Sequence, residues 1–207
     1  MRDKRMVIAI DCDEVLRALI PTMIDLYNKS FNQNLVFDDI KNFDVSVSFP
    51  AIKETTGYDA SYWFFQIHSA ELFENSDAFP MISEDIKRLQ RYARVIILTH
   101  QKSYKNKIHT LSWLSSHNIN PDGICFLKDK SLLYCNYFID DNDWNFIDCN
   151  AHTGILIDAP YNKGVDLDEL KSKGNCVVLK RMGSLHEFTD WFCDGIEKMI
   201  DELKYDI

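Results

Sequence analysis

The sequence predicts an α/β protein whose doubly wound parallel sheet is interrupted after its first strand by a small helical insertion. The first observation is the continuous apolar run that leads into Asp11, which is typical of a strand buried on both faces of a parallel sheet. The second is the alternation of such strands with helical patterns from Pro80 onward. The third is the break in this alternation between residues 31 and 79.

The first strand is followed by a predicted helix over residues 14–32, where apolar side chains recur at helical spacing. Pro21 is expected to kink or split this helix, because proline removes a backbone donor. From residue 31 to 79 the chain has short segments joined by Asn, Asp and Ser, with many aromatic residues. A flexible linker would not carry these aromatics. We therefore predict a core of residues 1–15 and 80–207, and a mostly helical insertion of residues 16–79.

The alternation in the second half of the chain supplies the rest of the core. Strands are predicted at residues 94–99, 123–127, 137–140, 153–157 and 176–179, and helices at 83–92, 103–117 and 184–203. Ser103 is expected to cap the second of these helices, with Ile108, Leu111 and Leu114 on its apolar face. Ser184 and Glu187 form a capping box for the last helix. Strands alternating with helices require right-handed crossovers, which give a parallel sheet.

Composition limits the classes of partner. The chain has 207 residues and a formal net charge of -9, which opposes duplex or long single-stranded nucleic acid because such partners need a basic face. A small phosphorylated substrate stays compatible, since a metal ion can offset local negative charge. The six cysteines contain no C-x-x-C pair, so free thiols in a reducing compartment are expected.

No apolar run in the sequence reaches the length of a membrane span or resembles a signal peptide. We therefore expect a cytoplasmic protein that has no membrane partner. The sequence leaves the oligomeric state open, a homodimer included.

Polar side chains follow four of the predicted strands, at the point where each strand ends. They are, in chain order, Asp11 and Asp13, Thr99 and His100, Lys128 and Lys130, and Asp140 and Asp141. Each group alone suits an ordinary turn, strand end or solvated surface. Because the carboxyl ends of parallel strands meet at one edge of a sheet, we expect the four groups to converge. Their combination in this order favours a functional site.

The chemistry of these groups is that of phosphate transfer. A carboxylate can attack phosphorus and form an aspartyl-phosphate. Several carboxylates at one edge imply a divalent cation with oxygen ligands, for which Mg²⁺ is the natural choice. A hydroxyl and an ammonium group can hold the phosphate and offset its developing charge. A phosphorelay receiver, the main rival, has a different order, with an acidic pair ahead of a separate phospho-accepting aspartate.

The observed order resembles the haloacid-dehalogenase-like (HAD) superfamily of phosphotransferases, whose four motifs match between residues 6 and 141. Within it the chain is similar to the 5'(3')-deoxyribonucleotidase family. That closer similarity rests on the segment at residues 129–131 before Asp140 and Asp141, on a later segment at residues 154–162, and on the position of the insertion. The resemblance implies a Rossmann-like HAD core with a helical cap.

The resemblance also implies the roles of the acids. Asp11 corresponds to the nucleophile and Asp13 to the general acid/base, which protonates the leaving oxygen and then activates water. Mg²⁺ would be held by the Asp11 carboxylate, the Asp13 backbone carbonyl and the Asp140–Asp141 pair. In the family the second aspartate of that pair contacts the metal and the first supports it; which does so here stays open.

The phosphate would be held by Thr99, the His100 amide and Lys130, which suits this role better by spacing than Lys128. In the insertion, the resemblance points loosely to Phe43, Val45 and Trp63 as substrate contacts. Phe43 and Trp63 suit the hydrophobic core of the insertion equally well.

Four positions depart from the family pattern. Glu14 replaces a usual glycine, His100 replaces a small residue, Asp44 replaces an aromatic residue, and Leu19 stands where a phenylalanine stacks on the base. The expected function is that of a Mg²⁺-dependent phosphomonoesterase acting on (deoxy)nucleoside 5'- or 3'-monophosphates. The alternatives are a phosphatase for sugar phosphates, other small metabolite phosphates or polynucleotide 3'-ends, and a non-catalytic nucleotide-binding protein of the same fold.

Overall fold

The computed structural model describes residues 5–205, which form a six-stranded, wholly parallel sheet. Residues 1–4 and 206–207 of the predicted core lie outside the described residues. The strands are β1 (Met6–Ile10), β2 (Ala93–Thr99), β3 (Gly123–Phe126), β4 (Cys135–Asp140), β5 (Ala151–Ile157) and β6 (Val178–Met182). Their order is β3-β2-β1-β4-β5-β6, so the strand order reverses beside β1. Doubly wound sheets bind ligands at the carboxyl ends of the strands at such a reversal. The predicted fold class is confirmed.

The helices connect these strands. They are α1 (Leu19–Phe31), α2 (Val45–Ser48), α3 (Pro50–Thr56), α4 (Ala60–Tyr62), α5 (Ser69–Glu74), α6 (Ile82–Leu89), α7 (Tyr104–Ser116), α8 (Leu167–Lys173) and α9 (Leu185–Tyr205). A π-helical turn, Trp63–Ile67, lies between α4 and α5, and 3₁₀ turns lie at Phe37–Asp39, Lys130–Leu132 and Asp143–Phe146. None of the helices in the described part of the chain has the length and apolar character needed to cross a bilayer.

Both faces of the sheet are covered. On β1, Ile8 and Ile10 pack into one hydrophobic cluster with α6, α7 and α9, while Ala9 packs into another with Phe146 and Leu170. This explains why the strand reads as a continuous apolar run, since neither side of it faces water. The central position of β1 fixes the place of the residues that follow it.

Helices α1 to α5 have a hydrophobic core of their own. The aromatic side chains buried in it are Tyr27, Phe49, Trp63, Phe64 and Phe73. Several of these rings meet edge to face at centroid distances of 5.0–5.1 Å, a favoured aromatic geometry. The many aromatic residues between residues 27 and 73 therefore form the hydrophobic core of the helical insertion.

Two backbone segments join the insertion to the sheet, and they pair with each other. The amide of Ala18 donates to the carbonyl of Asp77 at 2.9 Å, and the amide of Phe79 donates to the carbonyl of Leu16 at 2.9 Å. We call residues 16–18 and 77–79 the connector. The connector begins only a few residues after the end of β1, so it lies close to the reversal point of the sheet.

The prediction of a helix from residue 14 is wrong, because α1 begins at Leu19. Glu14 has a left-handed backbone (φ 57°), and the amides of Leu16 and Arg17 both bond to the carbonyl of Cys12 in tight turns. The predicted kink at Pro21 is also absent from the continuous helix α1. Proline in the first turn loses no helical hydrogen bond and is tolerated there.

The predicted cap of α7 is confirmed, since the Ser103 hydroxyl accepts from the amide of Asn106 at 3.1 Å. The predicted apolar face of α7 is confirmed at Leu114, which is buried, and wrong at Ile108 and Leu111, which are exposed; Trp113 is buried instead. The reason is that the indole of Trp113 donates to the carbonyl of Ser76 at 2.6 Å, which turns that side of the helix inward.

We predict that Gly154→Ala destabilises the protein. A Cβ atom at this position of β5 would lie 2.7 Å from Phe146 Cδ1 and 2.8 Å from Leu179 Cδ1. Overpacking of this kind costs about 1–3 kcal/mol in the free energy of unfolding. Urea denaturation measures it, with Gly195→Ala as the matched control, because a Cβ there meets nothing within 4 Å. Alanine at this exposed helical site should stabilise by about 0.5–1 kcal/mol. Equal changes in the free energy of unfolding for Gly154→Ala and Gly195→Ala would contradict the close packing around β5.

Candidate active site

The carboxyl ends of β2, β1 and β4 converge as predicted. Asp11 follows β1 directly, and its amide donates to the carbonyl of Ile139 in β4 at 2.9 Å. Asp140 ends β4 and Asp141 follows it. One carboxylate oxygen from each of the three aspartates lies within 4.8 Å of the others, and all three residues are buried. Thr99, at the end of β2, is buried as well.

Lys130 is the cation of this cluster. Its Nζ lies 2.9 Å from Oδ1 of Asp11 and 2.6 Å from Oδ2 of Asp140. The side chain reaches this place from a 3₁₀ turn after β3, which Asp129 caps by accepting from the amide of Ser131 at 3.0 Å. Burial disfavours the charge of Lys130, but the two carboxylates more than offset it and raise its pKa above the ordinary value.

The carboxylates carry more charge than Lys130 can neutralise. Burial raises the pKa of Asp11 to about 7, although Lys130 opposes the shift. Burial, with the charges of Asp140 and Asp11, raises the pKa of Asp141 as well. Hard carboxylate oxygens this close together are the donors that Mg²⁺ prefers, so the residues present fit a divalent cation.

The two aspartates after β4 differ in their surroundings. Both oxygens of Asp140 accept from the side-chain amide of Asn145 at 3.0 Å, Oδ1 accepts from the amide of Asn142 at 2.9 Å, and Oδ2 binds Lys130. Asp141 instead accepts from the Tyr161 hydroxyl through Oδ2. Asp140 is thus engaged by protein donors on both oxygens, which leaves Asp141 the better candidate for a direct metal ligand.

Asp13 lies beside this cluster and is more exposed. Its Oδ1 accepts from Nε and Nη2 of Arg17 at 2.9 and 2.6 Å, and its Oδ2 accepts from Nε2 of Gln101 at 2.9 Å. The side chain is 25% exposed, so a proton can reach it from a bound ester or from water. This position suits exchange of a proton with a ligand over the cluster.

His100 is exposed, directly after Thr99. Partial desolvation lowers the pKa of its imidazole, and the charges of Lys102 and Lys130 lower it further. These effects disfavour the charged form of the ring, so His100 is a weaker source of positive charge for an anion than Lys130.

Glu14, which the sequence left unexplained, caps the first helix of the insertion. Its Oε1 accepts from the amide of Ile20 in the first turn of α1 at 2.5 Å, and Ala18 at the N-cap offers no side-chain acceptor. A side-chain oxygen that accepts from an amide of the first turn satisfies a donor that the helix itself leaves unpaired. The residue is buried, and burial raises its pKa to about 8. The left-handed turn that a glycine would make is kept, with an added capping group.

The three residues of the insertion proposed to contact substrate lie in different surroundings. Trp63 is buried in the core of the insertion against Phe31 and Phe64. Val45 is half-buried against the same core. Phe43 is exposed, and its ring meets that of Tyr161 edge to face at 5.5 Å, next to the Asp141 side of the site.

Sequence reasoning missed the residues that hold the acids in place. They are Arg17, Gln101, Asn145, Tyr161 and Asn162. The last two lie in the 154–162 segment, which the sequence marks only through the family resemblance. Asn162 donates to the carbonyls of Asp141 and Ile157 at 2.7 and 2.8 Å, which ties that segment to the site. The other three residues belong to no pattern in the sequence.

Comparison with known proteins agrees with this geometry. The family model described as 5' nucleotidase, deoxy (pyrimidine), cytosolic type C protein matches residues 5–175. The chain belongs to this family. It is 25% identical over 185 residues to a 5'(3')-deoxyribonucleotidase of Clostridium acetobutylicum, with 84% of this chain and 96% of that protein covered. The protein is accordingly a phosphoric monoester hydrolase of the nucleotidase type.

Solved structures show the same fold. A haloacid dehalogenase-like family hydrolase from Streptococcus pneumoniae superposes with a TM-score of 0.56 at 14% identity, covering 91% of this chain and 98% of that one. A Bacillus subtilis protein provisionally described as a HAD-hydrolase, determined with bound magnesium, gives a TM-score of 0.58 at 13% identity, covering 90% and 97%. The nucleotidase therefore has the HAD-like fold that its motifs imply.

We predict that Glu14→Gln makes the stability of the nucleotidase less dependent on pH. The pKa of Glu14 is raised from 4.5 to about 8 in the folded state, so between these values the folded protein binds more protons than the unfolded chain. Stability from this group therefore falls as pH rises through that window. Glutamine keeps an oxygen for the Ile20 amide without the buried charge. It should stabilise by about 1–3 kcal/mol at pH 9 and have little effect at pH 5.

Urea denaturation at the two pH values measures this difference, and other titrating groups cancel between wild type and variant. Glu54→Gln, at an exposed position, is the control and should change neither value. A Glu14→Gln effect that is the same at pH 5 and pH 9 would rule out titration of this carboxyl.

Proposed function

We propose that the protein is a Mg²⁺-dependent phosphomonoesterase that dephosphorylates (deoxy)nucleoside 5'- or 3'-monophosphates through an aspartyl-phosphate. The observation that carries the proposal is the placement of Asp11 at the reversal point of the sheet, paired with Lys130 at 2.9 Å and with a carboxylate oxygen within 4.8 Å of one from Asp141. Membership of the nucleotidase family supports a nucleoside monophosphate as substrate, and the name of the clostridial relative supports a deoxyribonucleotide.

In the proposed reaction Asp11 attacks the phosphorus while the ester oxygen leaves. Asp13 gives its proton to that oxygen, and the aspartyl-phosphate forms. Asp13, now ionised, then takes a proton from a water molecule that attacks the phosphorus, which releases phosphate and regenerates Asp11. Lys130 stabilises negative charge on the transferring group and keeps Asp11 oriented through the ion pair at 2.9 Å.

Asp11, Asp141 and the backbone carbonyl of Asp13 are the groups that we propose hold Mg²⁺. The close carboxylate oxygens support this assignment, and the fold relative determined with magnesium is consistent with it. Bound Mg²⁺ supplies positive charge that offsets both the carboxylates and the substrate phosphate. Asp140 supports the site indirectly by holding Lys130. Thr99 and the amide of His100 complete the proposed phosphate contacts.

We propose that residues 16–79 act as a cap over a core of residues 1–15 and 80–207. Two contacts bring the insertion to the rim of the site: the ring pair of Phe43 with Tyr161, and the ion pair of Asp38 with Lys163 at 2.9 Å. A cap at this rim excludes water and bulky esters. Phe43 is the residue of the insertion best placed for substrate contact. We also propose a cytoplasmic location, since the matching family is described as cytosolic.

We predict that Asp11→Asn abolishes turnover, because an amide cannot form the aspartyl-phosphate. With dUMP, dTMP and 3'-nucleotides as substrates, kcat should fall by about a thousandfold or more. EDTA should stop the wild-type reaction, and added Mg²⁺ should restore it. Asp148→Asn is the control, because Asp148 is exposed in the loop that precedes β5. Turnover that survives EDTA or the loss of Asp11 would contradict the proposed mechanism.

Lys130→Met and Lys128→Met form a second matched pair. Lys130 is buried between two carboxylates, whereas Lys128 is exposed. Lys130→Met should lower kcat/KM for a nucleoside monophosphate by about 10²–10³-fold, because the transferring group loses a preorganised charge. Lys128→Met should change it by about threefold or less, as expected for a screened surface charge. Circular dichroism checks that both variants are folded; similar losses at the two positions would contradict the assignment.

A further inference from the structure

Both oxygens of the Asp13 carboxylate accept hydrogen bonds from protein side chains. Arg17 places Nε and Nη2 at 2.9 and 2.6 Å from Oδ1, and Gln101 places Nε2 at 2.9 Å from Oδ2. A guanidinium has a rigid, planar arrangement of donors, so two of its N–H groups on one oxygen fix the direction of that oxygen. The orientation of the Asp13 side chain is therefore set before any substrate binds.

Arg17 is itself fully buried and belongs to the connector. Its Nη1 donates to the carbonyl of Phe73 in the insertion at 3.2 Å, and its Nη2 donates to Thr110 Oγ1 in α7 at 3.3 Å. The guanidinium carbon also lies 4.6 Å from the centroid of the Phe73 ring and 5.1 Å from that of Trp113. One side chain thus contacts the acid, the insertion and the core.

Stability alone does not account for a buried arginine at this place. Removing a guanidinium from water is costly, and a buried ion pair is often no more stable than a well-packed apolar pair of similar volume. What the ion pair supplies, and apolar packing would not, is a fixed direction for a carboxylate. Asp13 is also the acid that the proposed reaction uses twice.

We propose that Arg17 is a positioning residue that holds the acid/base Asp13 in line with the leaving oxygen and links its orientation to the connector. The inference rests on the proposed function, in which Asp13 protonates the leaving group. Arg17 does not touch the substrate. Its effect is exerted through Asp13, and it should therefore matter most for esters whose leaving oxygen needs a proton.

The test compares two esters. A nucleoside monophosphate has an alkoxide leaving group that must be protonated, whereas p-nitrophenolate leaves without a proton. For Arg17→Met, kcat/KM for the nucleotide should fall by about 100-fold and that for p-nitrophenyl phosphate by about fivefold or less. Arg17→Lys keeps a donor near Asp13 and should recover about tenfold of the nucleotide loss. Arg88→Met, which removes an ion pair with Asp190 far along the chain, is the control and should leave both values unchanged.

Equal losses on the two esters, or an Arg17→Lys variant no better than Arg17→Met, would overturn the inference and leave the proposed function intact. Wild-type protein that hydrolyses neither ester would contradict the proposed function, and the inference would fall with it. Should circular dichroism show that Arg17→Met is unfolded, Arg17→Lys and Gln101→Leu decide the matter. Gln101 donates to the other oxygen of Asp13 and lies outside the connector. Gln101→Leu should therefore also lower kcat/KM more for the nucleotide than for p-nitrophenyl phosphate.

Discussion

Three buried carboxylates lie together at the carboxyl ends of β1 and β4, and the ammonium group of Lys130 pairs with two of them, Asp11 and Asp140; the rest of the site depends on this imbalance of charge. Lys130 pairs with Asp11 and Asp140, yet burial still raises the pKa of Asp11 and of Asp141. Buried charge that is not paired is costly, so the cluster favours the binding of positive charge. A divalent cation held by these residues would satisfy it, and would supply the positive charge that lets a phosphate dianion approach a site that otherwise repels it. The acidic overall charge of the chain and a phosphorylated substrate are therefore compatible.

The topology of the sheet holds these buried carboxylates close together. Because the strand order reverses beside β1, Asp11 and Asp140 come from adjacent strands although they are far apart in sequence. β1 is paired on both sides and covered on both faces, so its carboxyl end cannot shift to relieve repulsion. Polar groups from the loops hold the acids in turn. Asn145 secures Asp140, and Tyr161 secures Asp141.

The strands and the groups at their ends could be predicted because their signals are local. A buried parallel strand must be apolar throughout, and a polar residue that ends it must lie at the edge of the sheet, as Thr99, Asp11 and Asp140 do. The face that α7 buries could be predicted only in part: Leu114 follows from the apolar spacing, but the hydrogen bond of Trp113 to Ser76 outweighs the same spacing at Ile108. The contacts of Arg17 and Gln101 with Asp13 could not be predicted for a related reason. A single polar side chain has no periodicity, and its hydrogen-bond partner depends on the tertiary structure.

The stretch from Asp11 to Arg17 combines the chemistry of the site with the attachment of the insertion. Glu14 keeps the left-handed turn and caps α1, while Arg17 pairs with Asp13 and contacts the insertion through Phe73. A glycine at position 14 would permit the turn but would leave the first amides of α1 without this acceptor. Glu14 in place of the usual glycine therefore adds a hydrogen bond from the first turn of α1 back to the segment that precedes the connector. Because Arg17 belongs to the connector and also pairs with Asp13, the same side chain contacts the insertion and sets the direction of the carboxylate that we propose as the acid/base.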